Sequence, residues 1–154
     1  VLGVDGPGTT STLGDRFIPR NLEDPLQIPG EFDLAVSLEV AEHLDPSRAA
    51  SFVSDLCALA PVVLFSAAIP GQGGTHHVNE QWPGYWVDLF AAEGYLVSGA
   101  LRWLIWNDDR VENWYRQNVM VCARSGYQPA ELFRGAGTYP YPVVHPVLYD
   151  ARRR

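Results

Sequence analysis

The chain has 154 residues, a formal net charge of −7 and a hydrophobic content of 47%, which predict one compact domain around a single sizeable core. The acidic balance argues against a nucleic-acid partner, because non-specific binding to phosphates depends on clustered Lys and Arg. No apolar run approaches the roughly 20 residues of a membrane span, so a membrane is not an expected partner either.

The two cysteines, Cys57 and Cys122, fall in a predicted helix and a predicted strand among apolar neighbours. Buried free thiols fit this placement better than a disulfide or a metal site does. Unpaired thiols are typical of a reducing compartment, so we expect a cytoplasmic location.

The chain begins with a short apolar stretch, residues 1–6, that reads as a buried strand ending in Asp5-Gly6. A core strand needs neighbours on both edges to satisfy its hydrogen-bond ladder, so a domain seldom begins inside one, as this sequence does. In nucleotide-binding α/β folds, an acidic residue at the end of the second strand accepts hydrogen bonds from ribose hydroxyls. Asp5 fits that role, and it fits equally well as a turn residue beside Gly6-Pro7-Gly8.

Residues 16–22 are predicted to form an edge strand, because Pro19 cannot donate to a ladder and is tolerated mainly at edges. The strand ends in Asn21-Leu22, and residues 23–30 form a proline-containing connecting loop. The sequence thus places a second polar side chain at a strand end.

A third strand, residues 32–38, is an apolar run with one acidic interruption, and it passes directly into a polar cluster. In open α/β sheets, ligands bind just beyond the carboxyl ends of the strands. Four polar side chains fall at that position and are candidate functional residues: Ser37, Glu39, Glu42 and His43.

The segment after this cluster alternates helix and strand. Asp45-Pro46 is predicted to cap a helix, whose apolar positions recur at helical spacing over residues 49–60. Residues 62–66 form another fully apolar strand. Alternating buried strands and amphipathic helices predict βαβ units and a parallel sheet.

Residues 67–83 contain three glycines and are predicted to form a loop at the carboxyl edge of the sheet, where loops carry binding and catalytic groups. Two adjacent histidines, His76 and His77, lie in this loop with Glu80 nearby. An imidazole, whose unperturbed pKa is about 6.5, can accept a proton near neutral pH. A metal site formed by His76, His77 and Glu80 is disfavoured, because these three donors share one loop and have no matching ligand set elsewhere.

The remaining elements close the domain. A helix that begins near residue 82 is predicted to stop at Gly94. Strands are predicted over residues 95–100 and 117–123, and the Trp-rich segment between them lacks a full-length periodic helix. This spacing is compatible with an antiparallel pair. From residue 125, a tail rich in Pro, Gly and Tyr is predicted to be irregular.

The third strand and its polar cluster resemble the fourth strand and following loop of class I S-adenosylmethionine (SAM)-dependent methyltransferases, through the motif Phe32-Asp33-Leu34-x-Val36-Ser37-Leu38-Glu39-x-x-Glu42-His43-Leu44. The order of strands, helices and loops over residues 1–123 is similar to that of the same family. The segment His76-His77-x-Asn79-Glu80-x-Trp82-Pro83 resembles the type 23-like and type 11-like methyltransferase domains of that family.

The resemblance implies a Rossmann-like three-layer α/β sandwich with a mostly parallel sheet and an antiparallel last strand. It covers a methyltransferase-like domain of residues 1–124, followed by the irregular tail of residues 125–154. The family's first strand and glycine-rich loop would lie upstream of Val1, so the fold is expected to be N-terminally incomplete. Because that strand sits at the centre of the family's sheet, its absence predicts two unpaired inner edges.

The resemblance also implies that SAM is the cofactor. Asn21-Leu22 stands where the family has an Asp or Asn and an apolar residue against the adenine ring, and Asp5 stands where it has the ribose-binding acid. The implied cofactor-binding residues are Asp5, Gly6, Asn21, Leu22, Ser37, Leu38 and Glu39.

The function implied is methyl transfer to a small-molecule or sugar-like acceptor, with oxygen favoured as the methylated atom. His76 or His77 is the expected base, and Glu42 lies beside the expected methyl-transfer site. Each residue also has a structural alternative. The histidines can serve loop hydrogen bonding, and Glu42-His43 can tie the loop to the sheet.

Two other classes of function are compatible with parts of the sequence. A degenerate, non-catalytic partner module is compatible with the missing glycine-rich loop. A nicotinamide-dependent oxidoreductase would share the Asp5 contact to ribose, but it gives no role to Asn21-Leu22 or to Glu42-His43.

Overall fold

The computed structural model describes residues 1–134 and 138–152. Its strands are β1 (Gly3–Asp5), β2 (Phe17–Pro19), β3 (Ala35–Leu38), β4 (Val62–Ser66), β5 (Tyr95–Ser98) and β6 (Met120–Arg124). Its α-helices are α1 (Ala49–Leu59), α2 (Pro83–Ala92), α3 (Ala100–Ile105), α4 (Asn113–Asn118), α5 (Ala130–Phe133) and α6 (Pro146–Arg152). Residues 135–137 and 153–154, which belong to the predicted tail, lie outside the described residues.

The strands form two separate sheets. β1 and β2 pair in parallel, with Asp5 opposite Pro19 at their carboxyl ends. The other sheet has the order β3-β4-β6-β5, in which β3 and β4 are parallel and β6 runs antiparallel to both of its neighbours. The predicted parallel unit β3-α1-β4 and the predicted antiparallel last strand are both confirmed.

The hydrophobic core lies between the four-stranded sheet and helices α1 and α2. Phe65 in β4 is fully buried, and its ring centroid lies 5.1 Å from that of Trp86 and 5.3 Å from that of Phe90, both in α2. Both free cysteines are buried, as predicted. The residues that α1 buries follow the helical spacing of the sequence: Ala49, Phe52, Val53, Leu56 and Cys57.

Local sequence signals set the ends of the two long helices. The Asp45 carboxylate accepts a hydrogen bond of 2.9 Å from the amide of Ser47, and Pro46 opens the 3-10 turn that leads into α1. Gly94 follows α2 with a φ of 77°, a left-handed conformation that glycine adopts without steric cost. The predicted start and the predicted stop are both confirmed.

The segments without a clear periodic pattern contain short helices. α3 and α4 occupy the Trp-rich stretch between β5 and β6, and α5 and α6 lie in the tail. Hydrophobic periodicity did not reveal them, because a helix of one or two turns is shorter than the window that the pattern needs. None of the described helices has the length and hydropathy of a membrane span.

A cavity of about 520 Å³ separates the two sheets. It is lined by residues of β1 and β3 and by apolar side chains of α1, including Phe52 and Leu56. Among the described residues, no further strand pairs with β1 or β3 on the side that faces this cavity. The sheet is thus divided where the resemblance places the family's first strand.

We expect the two unpaired edges to make this chain self-associate, since an open strand edge is a template for pairing with another chain. Val36 on β3 lines the cavity and is 57% exposed. Val36→Lys is expected to shift the chain towards monomer in light scattering, because a charged edge residue opposes pairing. The control is Leu104→Lys on the exposed surface of α3, which should leave the oligomeric state unchanged. A chain that is already monomeric before substitution contradicts the prediction.

Candidate functional site

The carboxyl ends of β1 and β2 lie side by side at one edge, close to the segment that follows β3. The segment after β2 is held against the start of α1 by Arg48. Its Nε donates to the carbonyl of Leu22 at 3.0 Å, and its Nη2 donates to that of Asp24 at 3.0 Å. Because α1 follows β3 in the chain, the residues after β2 lie beside the residues after β3. The polar strand ends that the sequence predicted as ligand contacts are therefore neighbours.

Asp5 and Asn21 present exposed polar atoms at this edge. Asp5 Oδ1 accepts from the amide of Gly6 at 2.7 Å, a bond that a turn aspartate also makes. Its other oxygen has no hydrogen-bond partner among the described residues. Asn21 Oδ1 accepts from the amide of Glu23 at 3.2 Å, and Leu22 lines the neighbouring cavity. A carboxylate with an available oxygen suits a diol, and an amide beside an apolar side chain suits a purine edge.

The predicted contacts on β3 face in different directions. Ser37 is buried against the cavity between the sheets, and its hydroxyl has no hydrogen-bond partner among the described residues. Leu38 is half-buried, and Glu39 lies just beyond the strand. Of these three residues, only Glu39 carries a charged side chain at the strand end.

Glu39 is held in a network that the sequence did not predict. Its backbone has a φ of 53°, and its amide donates to the carbonyl and the hydroxyl of Ser66, each at 3.0 Å. Its carboxylate accepts from Gln72 Nε2 at 2.8 Å and from Asn118 Nδ2 at 3.1 Å. Asn118 and its neighbour Gln117 are buried just before β6. The sequence placed both residues in a predicted strand, 117–123, whereas the structure has them in the last turn of α4 and begins the strand at Met120.

Glu42 is fully buried in the 3-10 turn Ala41–His43, and neither of its carboxylate oxygens has a hydrogen-bond partner among the described residues. Burial, and after it the charge of Glu39, raises the pKa of Glu42 to about 8. The nearby backbone amides of Glu42 and Ala68, which do not reach hydrogen-bond geometry, offset part of this rise, and the side chain of Glu39 adds to it. Its surroundings therefore favour the neutral form of the Glu42 carboxyl more than water does.

The two loop histidines have different surroundings. His76 is exposed, with a φ of 60°, and its carbonyl accepts from His43 Nδ1 at 3.3 Å. His77 is half-buried, and its Nδ1 donates to Glu80 Oε1 at 2.9 Å. Gly74 packs against the His77 ring: a Cβ at this position would lie 2.2 Å from His77 Nε2. Position 74 therefore admits no side chain unless the ring moves.

Glu80 fixes the orientation of His77. Its carboxylate also accepts from the amides of Gly71 at 2.7 Å and Gly73 at 2.9 Å. Burial raises the pKa of Glu80, but the hydrogen bonds from His77 and from the two amides outweigh burial and lower that pKa overall. The ionised carboxylate holds the Nδ1 proton of His77, which leaves Nε2 as the nitrogen with an available lone pair.

Glu42, His43 and His77 converge beside Glu39. One ligand-type atom of each of the three lies within 4.8 Å of the other two, and the rings of His43 and His77 meet edge to face with centroids 4.8 Å apart. Of the three predicted catalytic residues, the structure brings Glu42 and His77 together and leaves the side chain of His76 exposed. His43, which the sequence marked only as a polar strand-end residue, completes the cluster.

The backbone of Glu42 also anchors the long loop. Its carbonyl accepts from the amides of Val78 and Asn79 at 2.9 and 3.0 Å. The structural alternative, in which this turn ties the loop to the strand end, is therefore present in the backbone. It coexists with the side-chain cluster, because the carbonyl and the carboxyl of Glu42 are separate groups.

Part of the tail packs against this loop. The amide of His145 donates to Gln117 Oε1 at 2.7 Å, and the Arg152 guanidinium donates to the carbonyl of Gln72. A cavity of about 170 Å³ lies between α6 and the loop, with Gln72, Gln117 and Leu148 in its lining. Tail residues thus form a wall beside the Glu39 network. The composition of the tail did not predict this packing.

No protein-family model and no curated protein matches the sequence, but solved structures match the fold. Magnesium protoporphyrin IX methyltransferase from Synechocystis PCC 6803 with bound S-adenosylhomocysteine (SAH) matches with a TM-score of 0.50 and 17% identity. The match covers 71% of this chain and 51% of that chain. The same enzyme with bound SAM has a TM-score of 0.49 and 18% identity, and covers 71% and 45%. The LepI complex with SAM has a TM-score of 0.49 and 13% identity, and covers 80% and 36%.

The first of these structures, with a TM-score of 0.50, shows the fold. This chain has a mixed, mostly parallel α/β fold like that of a SAM-dependent methyltransferase, as the sequence motifs predicted. The chain spans about half the length of the first of these structures.

Proposed function

We propose that this chain is part of a SAM-dependent methyltransferase that acts on a hydroxyl group of a small-molecule or sugar-like acceptor. The observation that carries the proposal is that Asp5, Asn21 and Glu39 each lie at or just after the carboxyl end of a parallel strand, in a fold like that of a SAM-dependent methyltransferase. Ligands of open α/β sheets bind beyond such strand ends.

The described residues fit the adenosine half of SAM. The available Asp5 oxygen suits the two ribose hydroxyls, and Asn21-Leu22 suits the adenine ring. The described residues supply no strand that lies between β1 and β3 in space, and so no glycine-rich turn after such a strand. We therefore infer that full affinity for SAM needs a further parallel strand in the cavity between the sheets, with a turn that holds the amino-acid half.

The reaction needs orientation and a proton acceptor. SAM supplies a methyl group bonded to a positively charged sulfur. As the new O–CH3 bond forms and the S–CH3 bond breaks, the acceptor hydroxyl loses its proton and SAM becomes SAH. His77 is the proposed proton acceptor, because Glu80 holds its Nδ1 proton and the ionised carboxylate stabilises the imidazolium that results. Glu39 and Glu42 border the same space, where holding the acceptor in line with the methyl group supplies most of the rate.

We also propose a cytoplasmic location for the reaction. Two unpaired, buried thiols support it, because a reducing compartment keeps cysteines in this form.

The direct test is calorimetric titration with SAH, of this chain and of a form extended before Val1 by a strand and a glycine-rich turn. Asp5→Ala is expected to weaken SAH binding by about 10- to 100-fold, because hydrogen bonds to a charged group contribute roughly 1.5–3 kcal/mol. Asp15→Ala, which removes an exposed acid on the turn before β2, is the matched control and should leave affinity unchanged.

Other outcomes separate the alternatives. If neither form binds SAH, the non-catalytic partner module is favoured over the methyltransferase. If NADH binds instead, as followed by its fluorescence, the oxidoreductase is favoured. Equal losses for the variants at Asp5 and Asp15 would show that the Asp5 carboxylate has no specific role.

A further inference from the structure

We propose that Glu42, His43 and His77 form a binding site for a divalent transition-metal ion. Their ligand-type atoms lie within 4.8 Å of one another. The three side chains come from two parts of the chain, the turn after β3 and the long loop after β4, so the fold itself brings them together. The site differs from a set made of His76, His77 and Glu80, with which it shares only His77.

The buried carboxyl of Glu42 is the strongest indication of a cation site. Buried polar groups are nearly always hydrogen-bonded, because leaving one without a partner is costly. Both oxygens of Glu42 lack a hydrogen-bond partner, and none of the ion pairs among the described residues includes this side chain. A cation at the cluster would provide that partner.

Both histidines are already oriented as metal ligands. In metal sites, the nitrogen that does not bind the metal usually donates to a carboxylate or a carbonyl, which fixes the tautomer and the ring. His77 Nδ1 donates to Glu80, and His43 Nδ1 lies 3.3 Å from the carbonyl of His76. In both rings Nε2 is the nitrogen without a hydrogen-bond partner among the described residues. Gly74 leaves room for the ring of His77, since a Cβ there would lie 2.2 Å from its Nε2.

The donor set selects the kind of ion. Two imidazoles and one carboxylate suit Zn²⁺ or another late first-row ion, whereas Mg²⁺ and Ca²⁺ prefer oxygen ligands. Metal–ligand bonds of about 2.1 Å require the donor atoms to approach to roughly 3.4 Å in a tetrahedral site. His43 is exposed on a single turn, so its side chain has room to close this distance. Three protein ligands also leave a coordination position open.

The catalytic consequence rests on the proposed function, whereas metal binding itself does not. An acceptor hydroxyl bound at the open position would lose its proton more readily, because a cation stabilises the oxyanion. His77 would then act as a ligand instead of a free base. The cluster lies beside Glu39, at the edge where the acceptor and the methyl group are proposed to meet.

The test is a titration of the metal-free chain with Zn²⁺ by calorimetry and with Co²⁺ by its visible absorption, without SAH or acceptor. We expect equimolar binding, with affinity lowered at least tenfold by His77→Ala and by Glu42→Gln, which keeps the shape of the buried side chain. Glu80→Gln should lower affinity by about 10- to 100-fold, because Glu80 orients the ring of His77 and loss of such a carboxylate typically has an effect of this size. A thermal melt of each metal-free variant verifies that it is folded.

His76→Asn is the matched control, because it removes the adjacent imidazole while keeping the carbonyl, and asparagine tolerates the left-handed backbone. It should leave affinity unchanged. Absence of binding, or an equal loss in His76→Asn and His77→Ala, would overturn the proposal. Since no cofactor is present in this titration, failure to bind the metal leaves the proposed methyl transfer untouched, and failure to bind SAH leaves the metal site untouched.

Discussion

Phe65→Ala is expected to lower the free energy of unfolding by about 3–5 kcal/mol, because it truncates an aromatic side chain at the centre of the core. Phe65 is fully buried in β4, which pairs with both β3 and β6. Its ring packs on Trp86 and Phe90, so truncation removes aromatic contacts and leaves a cavity that rigid neighbouring strands cannot fill.

Urea denaturation followed by circular dichroism measures this loss. Leu104→Ala, at an exposed position of α3, is the control and should change stability by less than about 0.5 kcal/mol. β4 also carries Ser66, whose oxygens accept from the amide of Glu39. Partial unfolding of the Phe65→Ala variant should therefore also weaken the hydrogen bonds that hold Glu39. A loss of less than about 1.5 kcal/mol would mean that α2 collapses onto the vacated space.

Asp55→Asn is expected to lower the free energy of unfolding by about 3 kcal/mol, because it leaves a buried guanidinium without its counter-charge. Asp55 pairs with Arg48, whose side chain is only 6% exposed. The same carboxylate accepts from the amide of Leu26 at 2.9 Å, while Arg48 donates to the carbonyls of Leu22 and Asp24. The pair therefore joins the segment after β2 to α1, and its loss should also weaken SAH binding at the proposed adenosine site.

The matched control is Asp108→Asn, which breaks an ion pair to Arg110 on the surface. Exposed pairs contribute little because water screens them, so this variant should retain the stability and the SAH affinity of the parent. In Arg48→Met/Asp55→Leu both charges are absent, and part of the lost stability should return. If Asp55→Asn unfolds at the same urea concentration as Asp108→Asn, the pair does not join the two parts of the fold.

Several elements follow from neighbouring residues alone. The apolar run of β4 is bounded by Pro61, and its observed limits, Val62–Ser66, are those that the sequence predicted. The start of α1 at Asp45-Pro46 and the stop of α2 before Gly94 rest on local capping chemistry. The division of the sheet was also predictable, because the resemblance places a strand between β1 and β3 that the described residues do not supply.

The side-chain constellation of the site could not be predicted in the same way. His43 and His77 are 34 positions apart, and Glu39 and Asn118 are 79 positions apart. Sequence reasoning grouped His76 with His77 because they are adjacent in the chain, but adjacent residues of an irregular loop need not face the same way. His76 has a positive φ, and Glu80, which accepts from the loop amides of Gly71 and Gly73, also holds His77, so only His77 lies beside Glu42.

The sequence by itself therefore determined the fold class, the order of the strands and of helices α1 and α2, and the strand ends that carry polar residues. Hydrophobic periodicity, capping and turn chemistry act over a few residues, so they can be read without a structure. The tertiary structure alone decided which polar residues meet, that Glu42 is buried without a partner, and that Gln117 and Asn118 border the site. Such contacts depend on how separate elements pack, and no local pattern encodes packing between residues that lie far apart in the chain.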